Sequence, residues 1–301
     1  MSEFLVGRIE PDDHVAHSIL GTTDPRTIWQ EVQTLCPEAV ECFAFRANVA
    51  ALFGLTLRGG ARVALKVHRS RPSEYLAAIQ QIQEHLWRYG YPTPRPLGVR
   101  GPATLEEWRD EGSLRDARVP EIRRELARQL LRLTQLTRAQ PASVQLDRVT
   151  FDGQEARTGP EWIDDVAQEA RLRLQRGSGS PVVARREWTI GRVRFAAEKP
   201  VVIYGWDSLS SGPETFFVGE AAAQFTVAPE PAVTQWPTID ETFLFIADYE
   251  RGRTSPFTRE EQATAAAAAA YARASAARHV HALGGDLGAL ALPEYAAALL
   301  Q

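Results

Sequence analysis

One stretch of the chain, residues 181–213, combines charged side chains with the spacing of strands and turns. It reads P-V-V-A-R-R-E-W-T-I-G-R-V-R-F-A-A-E-K-P-V-V-I-Y-G-W-D-S-L-S-S-G-P. Short apolar runs flank a polar loop and a Glu-Lys-Pro turn, a pattern typical of strands that present a loop. The loop holds a carboxylate, Glu187, among three cationic residues, Arg185, Arg186 and Arg192. We therefore expect the chemistry of this protein to lie in this loop.

A second side chain of chemical interest is Lys66, which lies in an otherwise apolar run at residues 62–68. Residues 41–48, 49–58 and 62–68 read as three strands, and the Gly-Gly pair before the third is a strong turn signal. Two interpretations of Lys66 remain open. It is either a solvent-side lysine on an edge strand or a phosphate-binding lysine held on a sheet.

The remaining pattern supplies the elements that must position these residues. A helix is predicted over residues 73–87, a short edge strand over 97–99 and a polar connector over 105–112. The pattern then becomes helical, at 120–137, 160–174, 213–225, 239–250, 258–283 and 285–301. Residues 1–24 are expected to be extended or loop, and 138–157 a loop-like insert. The alanine run at 265–270 favours close helix packing, because alanine is the best helix former.

The predicted fold class is α+β, with a small β-rich N-terminal lobe and a large, mostly helical C-terminal lobe. The predicted boundaries are residues 1–104 for the first lobe, 105–112 for the connector and 113–301 for the second lobe. The second lobe contains the hairpin at residues 182–209, which carries the charged loop. The length of 301 residues is ample for a sizeable core.

Composition narrows the class of protein. The formal charge of -4 argues against a general nucleic-acid binder. The two cysteines, Cys36 and Cys42, form no CxxC pair and offer no metal-ligand spacing, so we expect reduced thiols and a cytoplasmic location. The first ten residues lack the features of a signal peptide, and no apolar run reaches membrane-spanning length. We expect no membrane partner.

The element order, with Lys66 on the third strand followed by one helix and a polar connector, resembles the protein-kinase-like fold. It resembles the aminoglycoside phosphotransferase family more closely, over about residues 40–283. The resemblance is carried by R-R-E-W-T-I-G-R-V-R-F and Y-G-W-D-S-L-S-S-G-P-E. The residues that frame the motifs match well: Trp188, Val193, Arg194, Phe195, Trp206, Asp207, Ser208 and Leu209.

The reactive positions depart from that family. Its catalytic loop usually reads His-Gly-Asp-Trp with an asparagine five residues after the aspartate, and its metal motif reads Tyr-Asp-Trp-Asp-Ser-Leu. Here Arg185 replaces the histidine, Arg186 the glycine, and Glu187 the catalytic aspartate. Arg192 replaces the metal-binding asparagine, and Gly205 replaces the metal-binding aspartate.

These replacements oppose the reaction that the resemblance implies, which uses ATP and Mg²⁺. Kinase-type transfer needs a carboxylate to orient the acceptor and oxygen ligands for Mg²⁺. Glu187 displaces its carboxylate by about an ångström, an error that can cost about 10²-fold. Arg192 is a permanent cation, and Gly205 offers no side-chain ligand. We expect no metal site, although the three arginines could neutralise phosphate charge directly.

Asp207 offers partial compensation for the lost metal ligands. In a strand it would face the same side as Gly205, two residues earlier, and could supply a carboxylate. The resembled family has an aspartate there as well as its metal aspartate, which favours a structural role. Asp207 stays a candidate cofactor-binding residue.

The nucleotide lobe also departs from the resembled family. The turn at residues 45–54 has no Gly-rich loop to place backbone N–H groups on phosphates. In that family Lys66 would pair with a glutamate on the next helix. Glu84 and Glu74 both lie off the inward face, whereas Gln83 is nearer to it. Lys66 is therefore predicted to lack a carboxylate partner, with Lys66 and Gln83 as candidate cofactor-binding residues.

Three hypotheses follow. The first is a pseudoenzyme that keeps the phosphotransferase fold and binds a small-molecule ligand or a protein partner without phosphoryl transfer. The second is an active ATP-dependent kinase that uses Glu187 as base and Asp207 as metal ligand. A third is that the cleft binds nothing. Acidic residues of the connector, such as Glu106 and Asp110, could bind a cationic ligand, but solvated surface is favoured.

Overall fold

The computed structural model describes residues 5, 13–68, 71–138, 140, 145–151, 160–177, 179–228, 236–282, 284–285 and 293–301. The chain divides into two compact units, Met1–Asp110 and Glu111–Gln301. Most of the predicted insert at 138–157 and most of the first ten residues lie outside the described residues. Among the helices that are described, none has the length and apolar character needed to cross a bilayer.

The first unit is a five-stranded antiparallel sheet with three helices. In chain order its elements are α1 (His14–Leu20), α2 (Pro25–Leu35), β1 (Ala39–Ala47), β2 (Ala51–Leu57), β3 (Arg62–Val67), α3 (Ser73–Arg88), β4 (Pro96–Arg100) and β5 (Ala103–Glu107). The strand order is β1-β2-β3-β5-β4, which places β4 at an edge. The three predicted strands, the helix and the edge strand are confirmed.

Two predictions for this unit are wrong. Residues 1–24 were expected to be extended or loop, but α1 forms because Asp13 caps the backbone N–H of Ala16 at 2.8 Å and Gly21 ends the helix in the left-handed region. The polar connector was expected to begin at Leu105, but β5 continues through Glu107 because it pairs with β3.

The two faces of the first sheet have different roles. Val63, Leu65 and Val67 pack into one buried cluster with apolar residues of α1 and α2. Because side chains alternate along a strand, Ala64 and Lys66 belong to the opposite face, which we call the Lys66 face. The thiol groups of Cys36 and Cys42 are buried in the first cluster, and burial raises the pKa of Cys42 to about 11.

The second unit combines helices with short strands. In chain order its elements are α4 (Pro120–Thr137), β6 (Asp147–Arg148), α5 (Glu161–Arg176), β7 (Pro181–Arg185), β8 (Val193–Ala196), β9 (Lys199–Ile203), β10 (Leu209–Pro213), α6 (Glu214–Gln224), α7 (Ile239–Glu250), α8 (Arg259–Ala282) and α9 (Pro293–Leu300). β10 pairs antiparallel with β7 and parallel with β6, and β8 pairs antiparallel with β9. The charged loop is thus held between two pairs of strands.

The alanine run of α8 packs closely against α6, as predicted. Residues 265–270 are buried along α8. At their contact with α6 stands Gly219, where a Cβ would overlap the carbonyl oxygen of Ala265 and crowd the Cβ of Ala268. The small side chains therefore permit a close helix–helix approach that any larger residue would prevent.

Candidate functional site

Arg185 ends β7 and directs a buried cation into the charged loop. Its side chain is among the largest fully buried ones, at 1% exposure. The Nη2 atom donates to the carbonyl oxygen of Glu187 at 2.7 Å, and the guanidinium lies 5.6 Å from the Trp188 ring. Glu187 has a φ of 55°, in the left-handed region that costs free energy for a residue with a Cβ. Arg185 therefore helps to hold Glu187 in this unfavourable backbone conformation.

The same guanidinium lies against Gly205, the position where the resembled family has its metal-binding aspartate. A Cβ at Gly205 would lie 3.6 Å from each of the Cζ, Nε and Nη2 atoms of Arg185. Gly205 has a φ of 81°, so glycine also suits this backbone turn. The guanidinium of Arg185 therefore lies beside the position from which a metal-binding side chain at residue 205 would extend.

Arg186 points to a different partner, the buried Glu220 on α6. Its Nε atom lies 2.6 Å from Oε1 of Glu220, and its guanidinium lies 5.1 Å from the Phe216 ring. Burial raises the pKa of Glu220, while Arg186 and the backbone N–H of Glu187 favour its charged form. The loop is therefore held at Arg186 and at the backbone of Glu187 by one carboxylate.

Arg192 ends a single 3₁₀ turn, Ile190–Arg192, and approaches Glu187 from the other side of the loop. Its Nη2 atom lies 3.8 Å from Oε2 of Glu187. Both side chains are well exposed, at 40% for Arg192 and 59% for Glu187. An exposed pair at this distance contributes about 0–1 kcal/mol, so either group is free to contact a ligand instead.

Asp207 does not lie in a strand, so the predicted same-side relation to Gly205 is wrong. Gly205 is left-handed and Trp206–Ser208 form a 3₁₀ turn, because the chain must bend between β9 and β10. The hydroxyl of Ser208 donates to the carbonyl oxygens of Arg186 and Gly205, at 3.0 and 3.1 Å. This turn therefore ties the metal-motif segment to the charged loop through Ser208.

The residues that match the resembled family are mostly core, whereas the replaced ones surround the loop. Five of the matching residues are at most 1% exposed: Trp188, Val193, Phe195, Trp206 and Leu209. The matching residues therefore form the buried support beneath the loop, and the differing residues are the side chains that the loop carries.

The described residues do not fit a Mg²⁺ site at this loop. Mg²⁺ takes oxygen ligands in an octahedral arrangement. At the loop, the guanidinium of Arg185 lies against Gly205 and that of Arg192 lies beside Glu187. Two permanent cations repel a third, so no metal-dependent step can be assigned here.

Lys66, in the first unit, has a carboxylate partner, contrary to the prediction. Its Nζ atom lies 2.6 Å from Oε1 of Glu106 on β5. The side chain of Lys66 is largely covered, at 12% exposure, and that of Glu106 is buried, at 5%. The prediction failed because it considered only glutamates on α3: Glu84 is indeed turned away and pairs with Arg88. Glu106, expected to be solvated connector surface, lies on β5, the strand next to β3.

Gln83 completes a network around this ion pair. Its Nε2 atom donates to Oε2 of Glu106 at 2.9 Å and to the carbonyl oxygen of Pro94 at 3.0 Å. Gln80 donates to Oε1 of Gln83 at 3.4 Å. The predicted pair Lys66 and Gln83 is thus brought together, with Glu106 between them. Thr104 and Glu106 are two residues apart, so a strand places both side chains on the same face of the sheet. This spacing was the sequence signal that could have identified Glu106 as a partner of Lys66.

Solved structures of small-molecule phosphotransferases match most of the chain. An amicoumacin kinase in complex with AMP-PNP, Ca²⁺ and Ami has 13% identity and a TM-score of 0.63, over 92% of this chain and 91% of that chain. The fold is protein-kinase-like. A macrolide 2′-phosphotransferase from Brachybacterium faecium has 13% identity and a TM-score of 0.55, over 92% and 98% of the two chains.

A choline/ethanolamine kinase family protein from Mesorhizobium loti gives a similar match. It has 11% identity and a TM-score of 0.56, over 91% and 92% of the two chains. No protein-family model and no curated protein sequence matches the chain. The α+β, kinase-like fold predicted from the sequence is confirmed, and at these identities the likeness shows the fold alone. The chemistry must be argued from the residues.

Proposed function

We propose that this protein is a pseudoenzyme of the kinase-like phosphotransferase fold, which binds a small anionic ligand without transferring a phosphoryl group. The observation that carries the proposal is the buried guanidinium of Arg185, 3.6 Å from the Cβ position of Gly205. Kinase-type transfer depends on metal ions to neutralise charge that develops on the phosphates. A cation fixed at that position opposes metal binding.

The charge of the loop supports an anionic ligand. Arg186 pairs with the carboxylate of Glu220 and Arg192 lies near that of Glu187, whereas Arg185 donates to the backbone carbonyl oxygen of Glu187, so three guanidiniums of the loop face these two carboxylates. The exposed guanidinium of Arg192 lies 3.8 Å from the carboxylate of Glu187, a distance longer than that of a hydrogen bond. Guanidiniums bind phosphate and carboxylate groups directly, through paired N–H donors.

One observation favours a second function, an active ATP-dependent small-molecule kinase. The buried pair of Lys66 and Glu106 holds the strand lysine in place, as a lysine–glutamate pair does in protein kinases. In this alternative, Glu187 orients the acceptor hydroxyl and Asp207 supplies the metal carboxylate. The similar solved structures that are named kinases support a kinase-like fold for this chain, but they do not support these roles for Glu187 and Asp207.

A thermal-shift titration with ATP separates the two functions. The pseudoenzyme predicts either no stabilisation or a stabilisation that is the same with Mg²⁺ and with EDTA. The active kinase predicts a stabilisation that depends on Mg²⁺, because the metal bridges nucleotide and protein. Lys66→Met with Glu106→Gln serves as the control, because it removes the strand lysine that the active kinase would use and leaves no buried carboxylate without its partner.

Restoring the motif tests which residues prevent transfer. The variant Glu187→Asp, Arg192→Asn, Gly205→Asp keeps Arg185 beside the new carboxylate, which we expect to pair with the guanidinium and not with metal. The matched variant with Arg185→His added frees that carboxylate. We expect Mg²⁺-dependent ATP turnover only in the second variant. Turnover in the first would show that Arg185 does not block the site.

A further inference from the structure

The Lys66 face carries an aromatic cluster at the opposite end from Lys66, formed by Phe43 of β1 and Trp108 just after β5. β1 has a register irregularity between Cys42 and Ala44, and Phe43 lies within it. The Phe43 ring lies in the space that a side chain at Gly54 would fill, with Cε2 2.7 Å from the Cβ position. The two rings meet edge to face, with centroids 4.9 Å apart at 86°.

Arg62 lies over these rings and is held by a carboxylate. Its Cζ atom lies 3.8 Å from the Phe43 centroid and 5.8 Å from the Trp108 centroid. Its Nη1 atom donates to Oδ2 of Asp110 at 3.1 Å, and the indole N–H of Trp108 donates to the same oxygen at 3.3 Å. All four residues belong to one unit, Met1–Asp110. Two aromatic faces and a carboxylate form a receptor for a cation.

The contacts that hold Arg62 in this receptor are exposed to solvent. The side chain of Arg62 is 46% exposed and that of Asp110 is 64% exposed. Its departure would uncover ring surface and a carboxylate without opening the buried cluster of the sheet. The receptor itself is better fixed, because Gly54 seats the Phe43 ring and the backbone N–H of Trp108 donates to the carbonyl oxygen of Arg62 at 3.1 Å.

We propose that Phe43, Trp108 and Asp110 form a binding site for the guanidinium group of a small ligand, with Arg62 as a resident side chain that the ligand displaces. Stacking on a ring and pairing with a carboxylate select a planar cation over a neutral group of the same shape. This proposal does not depend on the proposed function, since guanidinium binding here needs neither nucleotide nor metal.

The test follows the indole N–H signal of Trp108 by NMR of the labelled full chain, assigned with Trp108→Phe. The probes are N-acetyl-arginine amide and its neutral counterpart, N-acetyl-citrulline amide. In Arg62→Ala we expect the arginine probe to bind about tenfold more tightly than in the wild type, because the tethered competitor is gone. The matched control is Arg58→Ala, which removes an exposed arginine of the neighbouring turn and should bind as the wild type does.

Further outcomes decide the proposal. Asp110→Asn in the Arg62→Ala background should weaken binding of the arginine probe by about tenfold, since the counter-charge is lost. Arg62→Gln is the second variant, for use if Arg62→Ala perturbs folding, and should behave as Arg62→Ala does. An equal response to both probes, or no indole shift in either Arg62 variant, would overturn the proposal.

Discussion

Replacing Glu106 by alanine should destabilise the first unit strongly, because it leaves Lys66 buried without a counter-charge. The Nζ atom of Lys66 lies 2.6 Å from the carboxylate, and the lysine side chain is only 12% exposed. Breaking a buried pair from one side costs about 3–5 kcal/mol. Because the lysine stem can move partly toward water, we expect about 3 kcal/mol.

Two further variants distinguish the loss of the ion pair from a general loss of stability. Lys66→Met with Glu106→Gln removes both charges and keeps an acceptor for Gln83, so stability should stay within about 1 kcal/mol of the wild type. The control is Arg88→Ala, which breaks the exposed pair with Glu84 and should cost about 0.3–0.5 kcal/mol.

The assay is urea unfolding followed by circular dichroism, with hydrogen exchange of the peptide at residues 62–68 to locate the loss in the first sheet. Glu106→Ala should lower the protection of this peptide, and the double variant should restore it. A cost for Glu106→Ala no larger than that of the Arg88→Ala control would refute the reasoning. It would mean that Lys66 is solvated and that the pair does not hold it.

Two further predictions concern the second unit. Gly219→Ala should destabilise the protein by about 3 kcal/mol or more, because its Cβ would overlap the carbonyl oxygen of Ala265; the loss would be seen as a lower urea midpoint. The control is Gly59→Ala, which has open space around it and should leave the urea midpoint nearly unchanged. Equal effects of the two variants would contradict the close packing at Gly219. For Glu220, burial raises the pKa above the unfolded value of 4.5, so its protonated form stabilises the fold at low pH. The stability of the wild type relative to Glu220→Gln should therefore fall as pH rises from about 4.5 through the folded pKa; a difference independent of pH would contradict the pKa direction.

Helices with a clear apolar period were predictable from the sequence alone. The periodic helices α4 and α7 begin and end where the pattern places them, and Thr238 forms a capping box with Glu241 at the start of α7. β10 was not predicted, because Leu-Ser-Ser-Gly-Pro reads as a turn. It is a strand because it pairs with β7 across residues distant in sequence.

For the candidate site, contacts between residues close in sequence could be predicted, and contacts between distant residues could not. Arg185, Glu187 and Arg192 are close in sequence, and the structure brings them together in one short loop. The partner of Lys66 could not be found from helix periodicity, because the β3–β5 pairing places Glu106 beside it. Contact between the Arg185 side chain and Gly205 likewise depends on a turn that the sequence does not specify.

From the position of the Arg185 guanidinium beside Gly205, we expect this loop not to hold a catalytic metal. The most direct measurement is isothermal titration of ATP into the protein, once with excess Mg²⁺ and once with EDTA. We expect any binding isotherm to be the same in both buffers, with dissociation constants within about twofold. Binding that Mg²⁺ tightens by about tenfold or more would contradict it and would favour the active kinase.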